Sequence, residues 1–243
     1  MPKERLPNGC IELTKAPEDR RSPKPCGVSS TGLQPKGFGL RLSSGGFHLR
    51  ASMIALKTPI PESQIRALKV GDEVAISGTL FTGRDAVHKY LHEGGQLPAG
   101  VSLSGGVLYH CGPVVIKDEQ GAWKCVAAGP TTSIREEPYQ WQIIRDFGLR
   151  GVIGKGGMGD KTLEACRQHG CVYFHAIGGA AQVLAECIKR VPNVYFMEKF
   201  GAPEAIWEFE VAEFPAIVTI DANGNSLHKE VFAASQAELT KLL

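Results

Sequence analysis

The chain has 243 residues, of which 43% are hydrophobic and 21% charged, which is enough apolar material for a real core and for one main domain. No stretch approaches the roughly 18 consecutive apolar residues of a membrane-crossing helix, and the first residues lack the apolar centre of a secretory signal. The expectation is a chain without a membrane-crossing helix, in the cytoplasm.

The formal charge of +2 conceals two kinds of material. Residues 1–51 carry nine Lys/Arg against four Asp/Glu, with six Pro, seven Gly and five Ser and no sustained period, so they are expected to be a disordered extension. Glu4, Glu12, Glu18 and Asp19 interrupt the acid-poor pattern of a transit peptide, and without interleaved aromatics the arm does not predict a nucleic-acid partner. Met53 stands directly before the first periodic segment, which suggests a native start there and an ordered domain over 53–243.

From Met53 the predicted elements alternate. A short helix over Pro61–Leu68 leads to a strand over Asp72–Leu80, with alternating apolar residues, and then to a helix beginning at Arg84, with Val87, Tyr90 and Leu91 at helical spacing. Strands are expected over Gly106–His110 and Lys124–Ala128, a helix over Pro138–Phe147, and a buried strand over Leu149–Ile153. Helix 160–169, strand 171–174, helix 179–190 and strand 194–197 follow. A last strand, Phe214–Ile220, ends in the turn Asp221-Ala222-Asn223-Gly224. The alternation predicts an α/β domain with a largely parallel sheet.

Seven cysteines, Cys10, Cys26, Cys111, Cys125, Cys166, Cys171 and Cys187, show no CxxC or other compact metal spacing. They read as apolar thiols in a reducing compartment, and no metal ligand is assigned to this chain.

Three junctions between strand and helix are candidate anion sites, where loops meet helix N-termini and present backbone N–H groups. They are Ser77–Asp85, with Gly83 and Arg84; Gly129-Pro130-Thr131-Thr132-Ser133-Ile134-Arg135; and Gly154-Lys155-Gly156-Gly157-Met158-Gly159. Each has an ordinary structural explanation: glycine turns are common, Thr131 and Ser133 would cap a helix, and arginines are usually on the surface. The glycine pattern is neither a dinucleotide fingerprint nor a P-loop, which argues against an NAD-dependent oxidoreductase. What favours a ligand site is the coincidence of one cation per loop, a set suited to a small dicarboxylate or a phosphorylated ligand.

The segments SGTLFTGRDAVHKYL (Ser77–Leu91), GPTTSIR (Gly129–Arg135), GVIGKGGM (Gly151–Met158) and VYFHAIGGAAQVLAECI (Val172–Ile188), in this order and spacing, resemble the β-type catalytic domain of class I fumarases and L-tartrate dehydratases. The resemblance runs from about Met53 to Ser226. It implies a swivelling β/β/α domain that works with an α-type subunit holding a [4Fe–4S] cluster, in a hetero-oligomer of two α-type and two β-type chains. Carried over by motif, Arg84, Arg135 and Lys155 bind the dicarboxylate and Thr131 transfers a proton. Asp85, His88 and Thr132 support them, and His175 is read as buried beside the sheet. The implied reaction is the hydration and dehydration of a four-carbon dicarboxylate, malate to fumarate or alternatively tartrate to oxaloacetate. Gly83 stands where alanine is common in the family and Tyr90 where a basic residue is. The loop at Met158-Gly159-Asp160 varies between members with different substrates. A different class of function, a non-catalytic anion-binding or assembly domain, uses the same cationic loops without a partner.

Overall fold

A computed structural model of the chain describes residues 53–242. The basic arm expected over 1–51, with Cys10 and Cys26, lies outside the described residues.

Seven strands form one sheet in the order β1 (Ile54–Lys57), β2 (Glu73–Thr82), β3 (Val107–Tyr109), β6 (Gly151–Gly154), β7 (Val172–His175), β9 (Ile206–Ile220), β8 (Ile188–Tyr195). The first five are mutually parallel, as the alternation predicted. β9 runs antiparallel to β7 and β8 and also pairs along its length with β2, so the sheet closes on itself. A two-stranded ribbon, β4 (Val114–Lys117) with β5 (Trp123–Ala127), stands apart.

Successive residues face opposite sides, which divides the core in two. Val107, Tyr109, Ile153, Val172 and Phe174 join Trp207, Phe209 and Phe214 of β9 in one cluster. Leu108, Val152 and Tyr173 face the other way, under α2 (Asp85–His92), α3 (Glu137–Phe147) and α4 (Asp160–His169), where Val87, Leu91, Ile143, Ile144 and Cys166 are buried. Helices α3 and α4 each end on a glycine with positive φ, Gly148 and Gly170, which stops the helix in the left-handed conformation without a Cβ clash.

Two expectations need correction. The helix over 179–190 stops early: α5 spans Ala181–Glu186, and from Ile188 the chain is already β8, drawn into register with the first half of β9. The late strand begins at Ile206, eight residues before Phe214, because Trp207, Phe209 and Val211 already alternate inward. After it the chain continues into α7 (Leu227–Leu242), a helix with no buried residue. Two further short helices, α1 (Glu62–Ala67) and α6 (Met197–Phe200), complete the domain. Among the described residues no helix is long and apolar enough to cross a membrane.

Candidate functional site

The parallel strands β2, β3, β6 and β7 all end on the same side, and the three junctions singled out in the sequence are the loops at the ends of β2, β3–β5 and β6. Thr82, buried at the end of β2, donates its hydroxyl to the Ala205 carbonyl at 3.2 Å and accepts from the Trp207 N–H at 2.9 Å, which ties that end to the start of β9. Two residues on, Arg84 lies against Gly112. A Cβ at Gly112 would stand 2.5 Å from the guanidinium and 2.7 Å from the Pro203 carbonyl oxygen, which, being backbone, cannot easily give way, so glycine leaves the room. Glu204 pairs with Arg84 Nε at 3.4 Å and accepts the Ala86 N–H at 3.0 Å.

Thr131 is clamped by its main chain. Its N–H donates to the His110 carbonyl at 2.7 Å, and its carbonyl accepts from Lys155 N–H at 3.2 Å; Ser133 N–H in turn donates to the Lys155 carbonyl at 3.0 Å. Thr132 bridges Lys155 as a one-residue parallel pairing, its own side chain exposed. The loop of Thr131 and the loop of Lys155 are thus one structural piece. The Lys155 stem passes over Gly178, where a Cβ would meet its Cδ at 3.5 Å. Arg135, more than half exposed on the 3-10 turn Ser133–Glu136, forms a short ion pair with Asp85.

The sequence reading of free helix N-termini does not hold at two of the three junctions. Glu204 occupies the start of α2. At α4, Glu137 reaches across from α3 to accept Gly159 N–H at 2.8 Å, Lys161 N–H at 2.9 Å and the Thr162 hydroxyl at 2.6 Å. A carboxylate already satisfies each of these helix ends, so an anion would be gripped by the side-chain cations instead. The plain capping explanation for the threonine loop also fails, since no side-chain cap meets the turn at Thr132. His175 is half-buried, not buried, with its Nδ1 unpartnered and its ring 5.9 Å from His228.

Beneath these loops runs a buried polar chain. His88 Nδ1 lies 2.8 Å from the Arg84 carbonyl, which can only accept, so that nitrogen carries the proton. His88 Nε2 and His110 Nε2 meet the same terminal atom of Gln140, at 2.9 and 2.8 Å. Burial makes both histidines less basic, which favours one proton on each; His88 carries its own on Nδ1, and a proton on Nδ1 of His110 leaves both Nε2 atoms as acceptors. With Gln140 Oε1 at that position, acceptors would face an acceptor while the Gln140 amide nitrogen is buried without a partner. Rotating the carboxamide by half a turn places NH2 between the rings and gives one proton to each, which is the orientation the chemistry requires. His110 Nδ1 then donates to Ser133 Oγ at 2.9 Å, which also accepts from the Tyr173 hydroxyl at 2.9 Å. The chain fixes the start of α2, the end of β3 and the turn holding Arg135 relative to one another.

Sequence reasoning found His88 and missed His110, Glu136, Gln140 and Glu204. The spacing of Glu136 and Gln140, one helical turn apart, was the available signal, but two polar residues so placed read equally as a solvent face.

These buried groups set a pH dependence. Below 6.5 the unfolded histidines bind protons that the folded ones refuse, so stability falls with acid. Glu136 is pushed from 4.5 up to about 8 by burial and by the nearby Asp85 and Glu204 carboxylates, so between those values its contribution falls as pH rises. The melting temperature is expected to climb to about pH 6.5 and decline gently to about pH 8, with the decline absent in Glu136→Gln. Calorimetry of both proteins across this range checks it.

Among the described residues no three His, Cys, Asp or Glu side chains are grouped to hold a metal. Cys111, Cys125, Cys166 and Cys171 are buried and free, and desolvation keeps the Cys125 thiol protonated up to about 11 and that of Cys111 still higher. Among the described residues these thiols are not grouped as the ligands of an iron–sulfur cluster are.

A family model described as the fumarase C-terminus matches residues 38–231, beginning ahead of Met53. Over 189 residues the chain is 56% identical to a Geobacillus stearothermophilus protein provisionally named fumarate hydratase class I, covering 78% of this chain and 36% of that one. It is 38% identical over 189 residues to a Methanocaldococcus jannaschii protein provisionally named L(+)-tartrate dehydratase subunit beta, covering 76% and 95%. It is 37% identical over 182 residues to the L(+)-tartrate dehydratase subunit beta of Escherichia coli K12, covering 73% and 89%. The chain therefore spans about a third of the first relative and nearly all of the other two.

Proposed function

The chain belongs to the fumarase C-terminus family, and on that premise we propose that it is the β-type subunit of an iron–sulfur hydro-lyase that interconverts malate and fumarate. The observation that carries this reading is the clamp that holds Thr131 beside Lys155 at the ends of β3 and β6. Removing water across a C–C bond takes a proton from the carbon next to a carboxylate, and cations on that carboxylate stabilise the charge that develops. Arg84, Arg135 and Lys155 bind the two carboxylates, and Thr131 handles the proton, with Asp85, His88 and Thr132 orienting them.

A threonine hydroxyl is too weak a base alone and needs a carboxylate from elsewhere. That carboxylate and the [4Fe–4S] cluster belong to an α-type partner, in an assembly of two α-type and two β-type chains in the cytoplasm, against which this domain swivels. The chemistry assigned to this chain is acid–base and electrostatic. Exposed Ile134 and Ile177, next to the Arg135 turn and just after the end of β7, supply an apolar rim for the partner.

A second reading, L-tartrate dehydration to oxaloacetate, is favoured by one observation: the relatives whose length this chain nearly spans carry that name. Anaerobic assay of this chain co-expressed with its α-type partner, on malate and separately on L-tartrate, decides between them. Turnover is expected only with both chains present. A complex with a full cluster that turns over neither acid would overturn both readings.

A further inference from the structure

Beside the substrate grips sits a carboxyl group that the proposed chemistry leaves unused. Glu136 closes the turn that carries Arg135, is fully buried, and has no hydrogen-bond partner on either oxygen. An ionised carboxylate so placed is strongly disfavoured unless something compensates it. The charged and titratable groups facing it come from several elements: Asp85 and His88 on α2, Glu204 ahead of β9, and Arg135 on its own turn. Glu137, the next residue, is committed to α4.

His88 is not a counter-ion. Its Nδ1 lies 3.6 Å from Glu136 Oε2, but the proton there goes to the Arg84 carbonyl. The remaining charges already balance, since Arg84 pairs with Glu204 and Arg135 with Asp85. A third carboxylate would tip the cluster negative and compete for the guanidiniums that an incoming dicarboxylate has to take. A neutral acid would not.

We propose that Glu136 is a positioning residue that remains a neutral acid beside the Asp85–Arg135 pair and adds no charge to it, so that Arg135 stays available to a substrate carboxylate. The inference rests on the hydro-lyase reading and adds to it the device that keeps Arg135 available. Burial, with the Asp85 and Glu204 carboxylates, raises Glu136 to about 8, which keeps it protonated at neutral pH. When Arg135 turns to the substrate, no charge on Glu136 competes for it.

The test is the pH dependence of KM and kcat for the complex of this chain with its α-type partner, using whichever acid the wild type turns over. For the wild type, KM is expected to rise roughly fivefold between pH 8 and pH 9 while kcat changes less than about twofold. Glu136→Gln, which keeps the shape and stays neutral, is expected to have a flat KM over that interval and a value within about threefold of wild type at pH 7. The same alkaline rise in Glu136→Gln, or a flat wild-type KM, would overturn the proposal.

Infrared spectroscopy of the wild-type complex gives a second readout that needs neither turnover nor a folded variant. A protonated-carboxyl band that disappears between pH 7 and pH 9 supports the assignment, and its absence at pH 6 defeats it. Absence of wild-type turnover on either acid would remove the hydro-lyase reading, while the infrared titration would still decide the state of Glu136.

Discussion

Thr131→Ala in the assembled enzyme is expected to lower kcat by a factor of roughly 10² to 10⁴ and to leave KM within a few-fold, the pattern of a group that acts on a proton in the transition state. The geometry makes the substitution clean. Thr131 is held through its N–H and its carbonyl, both of which alanine retains, so the loop should keep its place between His110 and Lys155. Arg135→Ala should behave differently, raising KM along with the loss of kcat, because a guanidinium that grips a carboxylate contributes to ground-state binding as well. Thr131→Ser restores the hydroxyl and is expected to recover most of the rate. If Thr131→Ala stays within tenfold of wild type under saturating substrate, the proton passes through another group and the threonine is a spacer.

Much of the domain could be read from local pattern, and the reasons differ from element to element. The strands β3, β6 and β7 alternate or run continuously apolar between glycines, and the helices α3 and α4 show apolar residues at helical spacing. Each declares itself within about ten residues. The boundary at Glu186 did not, because Ala181–Ile188 continues a helical pattern and only pairing with β9, some twenty residues later, draws the chain into β8. Closure of the sheet through β2 and β9 is a contact between residues 127 to 144 apart, and no local pattern records it.

The candidate site divides in the same way. Arg84, Thr131, Arg135 and Lys155 stood out as polar residues in glycine-rich loops. The groups that hold those loops, His110, Gln140 and Glu136, look like ordinary polar positions of a strand end and a helix face. Only the packing of α2 over α3 turns that face inward and makes it a buried hydrogen-bonded chain.

Gly154→Ala tests that chain from underneath, and among stability changes it should have the largest effect. Gly154 has an ordinary extended backbone, so its importance is one of space: a Cβ there would stand 1.8 Å from Ser133 Oγ and 2.9 Å from the Tyr173 hydroxyl oxygen. A contact of 1.8 Å cannot be absorbed by a small rotation, because Ser133 is itself pinned by its N–H to the Lys155 carbonyl at 3.0 Å. Either the Thr131 loop lifts away from β6, or the Ser133 hydroxyl swings out and leaves His110 Nδ1–H and the Tyr173 hydroxyl buried without their acceptor.

Overpacking of this kind costs about 1–3 kcal/mol, and each buried donor left unsatisfied about 1–3 kcal/mol. A loss of roughly 3–5 kcal/mol is expected, which for a domain of this size lowers the melting temperature by about 6–20 °C. The double change Ser133→Gly with Gly154→Ala moves the side chain from one partner to the other and removes the collision without replacing the lost hydroxyl. It should therefore recover part of the loss, and the uncompensated part measures the hydrogen bonds to Ser133. A Gly154→Ala protein that melts within about 2 °C of wild type would mean that the loop carrying Thr131 moves freely against β6, and the clamp on which the catalytic assignment rests would have to be abandoned.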